Sequence, residues 1–320
     1  MAIRSLIRYP GGKGKAFDFL VDHFPDGIKD WREPFFGGGS VTIGFLQHPK
    51  SKDCERFVVG DLYTEVYSFW KGVKDNPDGV VNATHEYLKE YMPRLTEASQ
   101  LWQIYHDRDM DIVAETIADG FKFWDYSKAV DKSTLPLERR AARFFLINRT
   151  SYSGLGDSGN MTIDQLMDFN EKDILKMYEM SKLLGRVEIN NVSYEKTIEG
   201  VDEKNGFIFL DPPYFQQSNQ GSGKSSLYGG RGKANSTHDQ FPHEAYRDLI
   251  VSLKTKWLMT YDDSIAVRKL YNRPGIDITP FKLKYTLAGD RCATDALAGE
   301  ELLISNYLKS SGEQDEVEDF

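Results

Sequence analysis

The chain predicts an α/β fold: a mainly parallel, doubly wound sheet carrying a helical insertion. Three observations lead there. Short, continuously apolar runs alternate with helical patterns. Three of the four clearest runs end in an acid, where strand C-termini of a parallel sheet line a ligand crevice. More than a hundred residues between the first and second runs show no strand pattern.

In chain order, the first run is Phe57-Val58-Val59, ending at Gly60-Asp61. Tyr63, Tyr67 and Trp70 follow at helical spacing and read as a core stripe. The strand-free stretch then predicts helices over 80–92, 96–119 and 138–148; Val80, Thr84, Tyr87, Leu88 and Tyr91 share one face of the first. A single crossover does not need that much chain, so 72–172 is expected to be an inserted helical domain. Ile174, Met177, Tyr178 and Leu184 mark a further helix stopped by Gly185. Arg186 to Ile189 alternates as a strand. Phe207 to Leu210 is continuously apolar and ends at Asp211-Pro212-Pro213, and Lys256 to Tyr261 ends at Asp262-Asp263. Runs 281–287 and 301–307, with no helix between them, predict an antiparallel pair at a sheet edge.

Composition bounds the rest. The 320 residues are 40% hydrophobic and 28% charged, which excludes wholesale disorder and allows one large domain or two. No apolar run approaches the roughly 18 residues of a membrane span. The opening MAIRSLIRYPGGKGK has early bases but no apolar stretch before Pro10-Gly11-Gly12, so no secretory signal and a cytoplasmic location are expected. Two cysteines, Cys54 and Cys292, support neither a disulfide framework nor a structural zinc site, and no metal is expected. The formal charge is −9, which by itself disfavours nucleic acid. Five of the acids, however, sit in the last eight residues, and 310–320 is expected to be a disordered acidic tail. Residues 1–17, 138–156 and 215–240 are locally basic, so their placement decides the partner.

Two motifs carry chemistry. In Glu33-Pro34-Phe35-Phe36-Gly37-Gly38-Gly39-Ser40, glycines allow a sharp turn and close approach to a ligand. Asp61, at the end of the next strand, stands where a nucleotide-binding α/β unit keeps its ribose-binding acid. Asp211-Pro212-Pro213-Tyr214 follows a buried strand. Its prolines fix the backbone and leave carbonyls as rigid acceptors beside a carboxylate and a phenol ring. That set suits an amino group on a flat ring: the carboxylate and a Pro carbonyl accept two N–H bonds while Tyr214 stacks.

In this order, the motifs resemble those of the D12 class of DNA adenine-N6 methyltransferases, the Dam-like α-group. There, F-x-G-x-G (here Phe35, Gly37 and Gly39) binds S-adenosylmethionine, and D-P-P-Y (Asp211 to Tyr214) holds the target adenine. The resemblance extends to Arg8-Tyr9-Pro10-Gly11-Gly12-Lys13, similar to the family's N-terminal cofactor segment. It also covers Trp257 to Asp262 and Glu301 to Tyr307, nearly the whole chain.

The resemblance implies a Rossmann-like class I methyltransferase fold: a seven-stranded doubly wound sheet formed by 1–71 and 173–309, with 72–172 as a helical target-recognition domain. It implies S-adenosylmethionine held by Tyr9, Gly11, Gly12, Lys13, Glu33, Phe35, Gly37, Gly39, Ser40, Asp61 and Asp211, and catalysis by Asp211, Pro212, Pro213 and Tyr214. The substrate implied is double-stranded DNA with its adenine flipped out, bound by a monomer or weak dimer. The adenine amine is a poor nucleophile because its lone pair is conjugated. Hydrogen bonds to Asp211 and Pro212 would favour a more tetrahedral nitrogen, and positioning and electrostatics would supply the acceleration.

Asn148 to Gly156 resembles a family β-hairpin that probes DNA, with Ser153-Gly154-Leu155 in place of N-G-L and Tyr152 as the inserting aromatic. Arg149, Tyr152, Ser153 and Leu155 are therefore expected DNA contacts. GATC-specific members carry Arg two residues after that Leu. Here it is Asp157, whose carboxylate cannot make the bidentate guanine contact, which argues against GATC. Loop 215–243 adds Lys224, Arg231 and Lys233 as expected phosphate contacts.

Other patterns fail on spacing. Gly221-Ser222-Gly223-Lys224-Ser225 mimics a phosphate loop but has Ser218 where the pattern needs Gly, and His85-Glu86 lacks a second His. Two alternatives remain open: a catalytically silent DNA-binding module of the same fold, and a methyltransferase acting on RNA or cytosine N4.

Overall fold

The computed structural model describes residues 2–214, 241–284 and 298–308. Lys224, Arg231, Lys233, Cys292 and the expected acidic tail lie outside them. The strands are β1 Asp30–Glu33, β2 Arg56–Gly60, β3 Val187–Asn190, β4 Gly206–Leu210, β5 Lys256–Asp262, β6 Asp277–Lys284 and β7 Ala298–Ser305. They form one seven-stranded sheet in the order β3-β2-β1-β4-β5-β7-β6. Neighbours from β3 to β5 are parallel, while β7 runs antiparallel to both β5 and β6. The chain winds outward from β1 to β3, then returns to place β4 beside β1. The crevice of a doubly wound sheet opens at such a reversal, and both motifs leave the sheet there.

Helices α1 Phe17–Asp22 and α2 Ser40–Leu46 flank β1. Between β2 and β3 lie α3 Thr64–Asp75, α4 Pro77–Tyr91, α5 Leu95–Tyr105, α6 Asp111–Ala129, α7 Leu137–Thr150, α8 Ile163–Met167 and α9 Glu171–Leu184. Helix α10 Tyr194–Ile198 precedes β4, and α11 His243–Ser252 and α12 Ile265–Tyr271 flank β5. Among the described residues none of these helices is long and apolar enough to cross a membrane.

Alternation along β4 divides the core. Phe207 and Phe209 join a large cluster on one face of the sheet; Ile208 and Leu210 join Trp257, Met259 and Tyr261 on the other. The large cluster continues without a break into the helical segment, through Trp70, Val80, Tyr87, Trp124 and Phe145. Phe69 of α3 stacks on Phe145 of α7 with centroids 5.7 Å apart. Positions 72 and 172 fall inside α3 and α9, not in linkers.

Four local expectations change. Residues 96–119 form two helices rather than one, because His106 takes a left-handed conformation (φ 53°) that ends α5. Tyr63 caps α3 and is 43% exposed, outside the core stripe that Trp70 does join. The strand expected from 281 begins at Asp277, and the one expected over 301–307 spans 298–305.

No expectation covered β1 itself, Asp-Trp-Arg-Glu, which has no apolar run to announce it. All four residues are buried. Trp31 and Glu33 face α2, where the Trp31 indole donates to Thr42 Oγ1 at 2.7 Å. Asp30 and Arg32 face the other way and pair with each other at 2.7 and 2.8 Å, and Arg32 also donates to Thr197 O at 2.8 Å. Buried charge is tolerated when paired and hydrogen-bonded in this way.

Candidate active site

The glycine turn after β1 builds the first wall. Gly37 (φ 45°) and Gly39 (φ 66°) occupy the left-handed region that side chains disfavour. The Tyr9 ring lies against the turn so closely that a Cβ on Gly37 would sit 2.8 Å from its Cε1, and one on Gly38 2.7 Å from its Cβ. The turn is also held from behind. The Trp70 indole donates to Gly37 O at 2.8 Å, and the Gly37 amide donates to Asp61 Oδ2 at 2.7 Å. Asp61 Oδ1 accepts the Tyr63 amide at 2.8 Å. Burial pushes the Asp61 carboxyl up to about 6 against these two bonds. Glu33 accepts from the Thr42 amide at 3.0 Å and from its hydroxyl, and burial raises it to about 8.

The second wall is the end of β4. The buried Lys13 ammonium lies 2.9 Å from Asp211 Oδ1 and donates to Gly11 O at 2.8 Å and to Tyr214 Oη at 2.7 Å. Tyr214 in turn donates to Glu301 Oε1 at 2.8 Å. Thr260, from β5, donates to Asp211 Oδ1 at 2.8 Å, and the Tyr261 hydroxyl donates to Pro213 O at 3.3 Å. The Tyr214 ring stacks on Tyr261 at 5.8 Å. Burial pushes Glu301 up to about 7, opposed by Lys13.

The two walls enclose one cavity of about 460 Å³. Tyr9, Gly11, Gly12, Lys13, Glu33, Phe35, Gly37, Gly39, Ser40, Asp61 and Asp211 to Tyr214 all line it. A depression of about 530 Å³ between α10 and α11 is lined by none of these residues, so chemistry and not size selects the site. Leu62, Val192, Tyr194 and Phe241 also line the cavity, and their motif-free sequence context gave no sign of it. Glu301 did leave a signal: an acid directly abutting the apolar run Leu302-Leu303-Ile304 within a strand needs a partner once buried. Among the described residues no cluster of His, Cys, Asp and Glu is arranged to hold a metal ion.

The expected probing segment lies beside the cavity. Its form is two short 3₁₀ turns, 152–154 and 156–158, closed by a single antiparallel bridge between Ser151 and Met161, rather than a hairpin ladder. Tyr152 is 46% exposed, and Ser153 has φ 51°. Leu155 is half-buried. Arg149 pairs with Asp173 at 2.6 Å and is largely covered. Asp157 points inward, 2.7 Å from Lys132 and 3.0 Å from the fully buried Arg143, and it accepts the Tyr63 hydroxyl at 3.1 Å.

Comparison with known proteins meets this geometry. The family description D12 class N6 adenine-specific DNA methyltransferase matches residues 9–287. The chain is 26% identical over 224 residues to Type II methyltransferase M.MjaIII of Methanocaldococcus jannaschii, covering 67% of this chain and 70% of that protein. It is 21% identical to Type II methyltransferase M.CviBI of Paramecium bursaria Chlorella virus NC1A, over 95% of this chain and all of that one. Type II methyltransferase M1.LlaDCHI of Lactococcus lactis is 20% identical, over 95% and 96%.

Proposed function

We propose, from the premise that this chain belongs to the D12 class of N6 adenine-specific DNA methyltransferases, an assignment of roles to the cavity. The chain is a site-specific DNA adenine methyltransferase. In our reading the cavity binds S-adenosylmethionine between the glycine turn and Asp61, and presents the adenine amine to Asp211. One observation carries this: Lys13, the glycine turn, Asp61 and Asp211 to Tyr214, far apart in sequence, line a single cavity.

The residues fit the cofactor. The bare glycine backbone lets the Tyr9 ring lie directly against the turn, where a Cβ on Gly37 or Gly38 would clash with it, so glycine backbone and an aromatic ring share one wall of the cavity. Asp61 retains lone pairs for ribose hydroxyls beyond the two amides it accepts. The chemistry that S-adenosylmethionine supplies when bound is an electrophilic methyl group.

The protein's part is to make adenine N6 nucleophilic. The Asp211 carboxylate and the Pro212 carbonyl accept hydrogen bonds from the two N6–H groups and draw the nitrogen toward tetrahedral geometry, while Tyr214 stacks on the base. Preorganised acceptors of this kind stabilise charge developing on the nitrogen without reorganising. The arriving amine competes with Lys13 for Asp211. Gly11 O, and Glu301 at 3.8 Å, keep the ammonium paired as it yields. A base stacked inside a duplex cannot reach the end of β4, so it enters flipped out. The exposed Tyr152 ring supports the helical segment 72–172 as the target-recognition unit, set into a catalytic unit of 1–71 and 173–309. Location in the cytoplasm belongs to the same proposal.

The test is incubation of the purified protein with labelled S-adenosylmethionine and unmethylated genomic DNA, followed by single-molecule sequencing. N6-methyladenine within one short motif is the expected result. Cofactor binding without DNA methylation would overturn the assignment in favour of an RNA substrate or a silent module; methyl groups on cytosine N4 would refute the adenine pocket. GATC as the motif would overturn the reading of Asp157.

A further inference from the structure

Asn148, buried in the last turn of α7, uses its whole carboxamide. Its Oδ1 accepts the Arg8 amide at 2.9 Å, and its Nδ2 donates to Arg8 O at 2.8 Å and to Gly154 O at 2.8 Å. The first two bonds grip the Arg8 backbone as a neighbouring strand would. The third reaches into the turn that carries Tyr152. Gly154 approaches so closely that a Cβ there would fall 2.4 Å from both Cβ and O of Arg8. The residue after Arg8 is Tyr9, whose ring covers Gly37 and Gly38 on the cavity wall.

A second tie runs on the other side. The Tyr63 amide donates to Asp61 in the cavity, and the Tyr63 hydroxyl donates to Asp157 at the far end of the same loop. Loop 151–158 is therefore joined to the cavity wall at both Gly154 and Asp157.

We propose that Asn148 is a positioning residue that couples the cofactor cavity to the DNA-facing loop, so that occupation of either strengthens binding at the other. The proposal rests on the assignment above of cofactor to the cavity and DNA to the Tyr152 loop. A ligand settling against Tyr9 restricts Arg8-Tyr9, and Asn148 passes that restriction to Gly154 through bonds that leave its carboxamide no slack. The second ligand then finds its loop already ordered. Such coupling is reciprocal by necessity.

The experiment measures the dissociation constant of a duplex bearing the methylated motif, with and without saturating S-adenosylhomocysteine, and the converse for S-adenosylhomocysteine with and without duplex. The wild-type protein is expected to show the same ratio both ways, roughly 5- to 150-fold. Asn148→Ala, and separately Gly154→Ala, which pushes the turn off Arg8, should bring the ratio to about one. Tyr63→Phe removes only a hydroxyl and should lower the ratio part of the way; it decides the matter if the other two variants fail to fold. The ratio is the readout because a merely structural loss weakens binding equally in both conditions. A wild-type ratio of one, or a wild-type ratio in every folded variant, overturns the proposal. Failure to bind S-adenosylhomocysteine at all would instead overturn the functional assignment.

Discussion

Lys13 places its ammonium 2.9 Å from the Asp211 carboxylate, closing 198 residues of chain into one ion pair. Lys13 is almost fully buried, so the pair is desolvated on its lysine side. Tyr214 Oη and Gly11 O accept hydrogen bonds from the same ammonium. The N-terminal segment thus holds the Asp211 carboxylate in place at the end of β4.

Replacing that carboxylate separates chemistry from binding. Asp211→Asn keeps an oxygen for the Thr260 hydroxyl but loses the charged acceptor for the adenine amine. Single-turnover methyl transfer should fall roughly 10²–10³-fold, with cofactor affinity, read by calorimetry, largely kept. Transfer at the wild-type rate would remove Asp211 from the mechanism.

The two roles proposed for Tyr214 can be separated by substitution. Tyr214→Phe keeps the ring over the base and loses the hydroxyl shared with Lys13 and Glu301. Tyr214→Ala loses both. Stacking on one base contributes about 1–3 kcal/mol, so the Ala variant should be slower than the Phe variant by roughly one to two orders of magnitude. Equal rates would show that the hydroxyl, not the ring, matters.

Cofactor affinity should depend on pH through Asp61. Its carboxyl, at about 6 in the folded protein, accepts ribose hydroxyls best when ionised. Affinity is therefore expected to improve as pH rises through about 6. Asp61→Asn should weaken binding by about tenfold or more at neutral pH and flatten the profile. Calorimetric titration across that range checks both; an unchanged dissociation constant removes Asp61 from the site.

Glu33 carries a stability prediction. Its carboxyl is raised from 4.5 to about 8, so between those values the folded protein holds a proton that the unfolded chain has released. Stability from this source is present on the acid side and lost as pH rises through about 8. Asp61 and Glu301, also raised, act in the same direction. Glu33→Gln keeps an oxygen for both Thr42 donors and removes the titration. Thermal melts of the variant should show a shallower decline with pH, and a higher midpoint than wild type above about pH 8. Parallel melting profiles would contradict the assignment.

Much of the fold was readable because its signals are local. The apolar runs ending at Asp61, Asp211 and Asp262 are strands β2, β4 and β5. The strand-free stretch is helical, and the late antiparallel pair stands at the sheet edge. The break at His106 was not readable, since one left-handed residue ends a helix without disturbing the periodicity around it. Nor was β1, because its Asp, Arg and Glu look like surface residues until their partners are known.

The same division holds at the site. The glycine turn and the Asp-Pro-Pro-Tyr segment follow from local residue chemistry: tolerance of positive φ at glycine and fixed φ at proline are properties of the residues, wherever the chain goes. Which charges meet is set by packing between distant segments. That packing brought Glu301 to Tyr214 and Lys13 to Asp211, turned Asp157 inward onto Arg143, and set Asn148 between Arg8 and Gly154. A buried polar group is stable only beside a complementary partner, and that partner is chosen by packing between segments whose sequences carry no mark of one another.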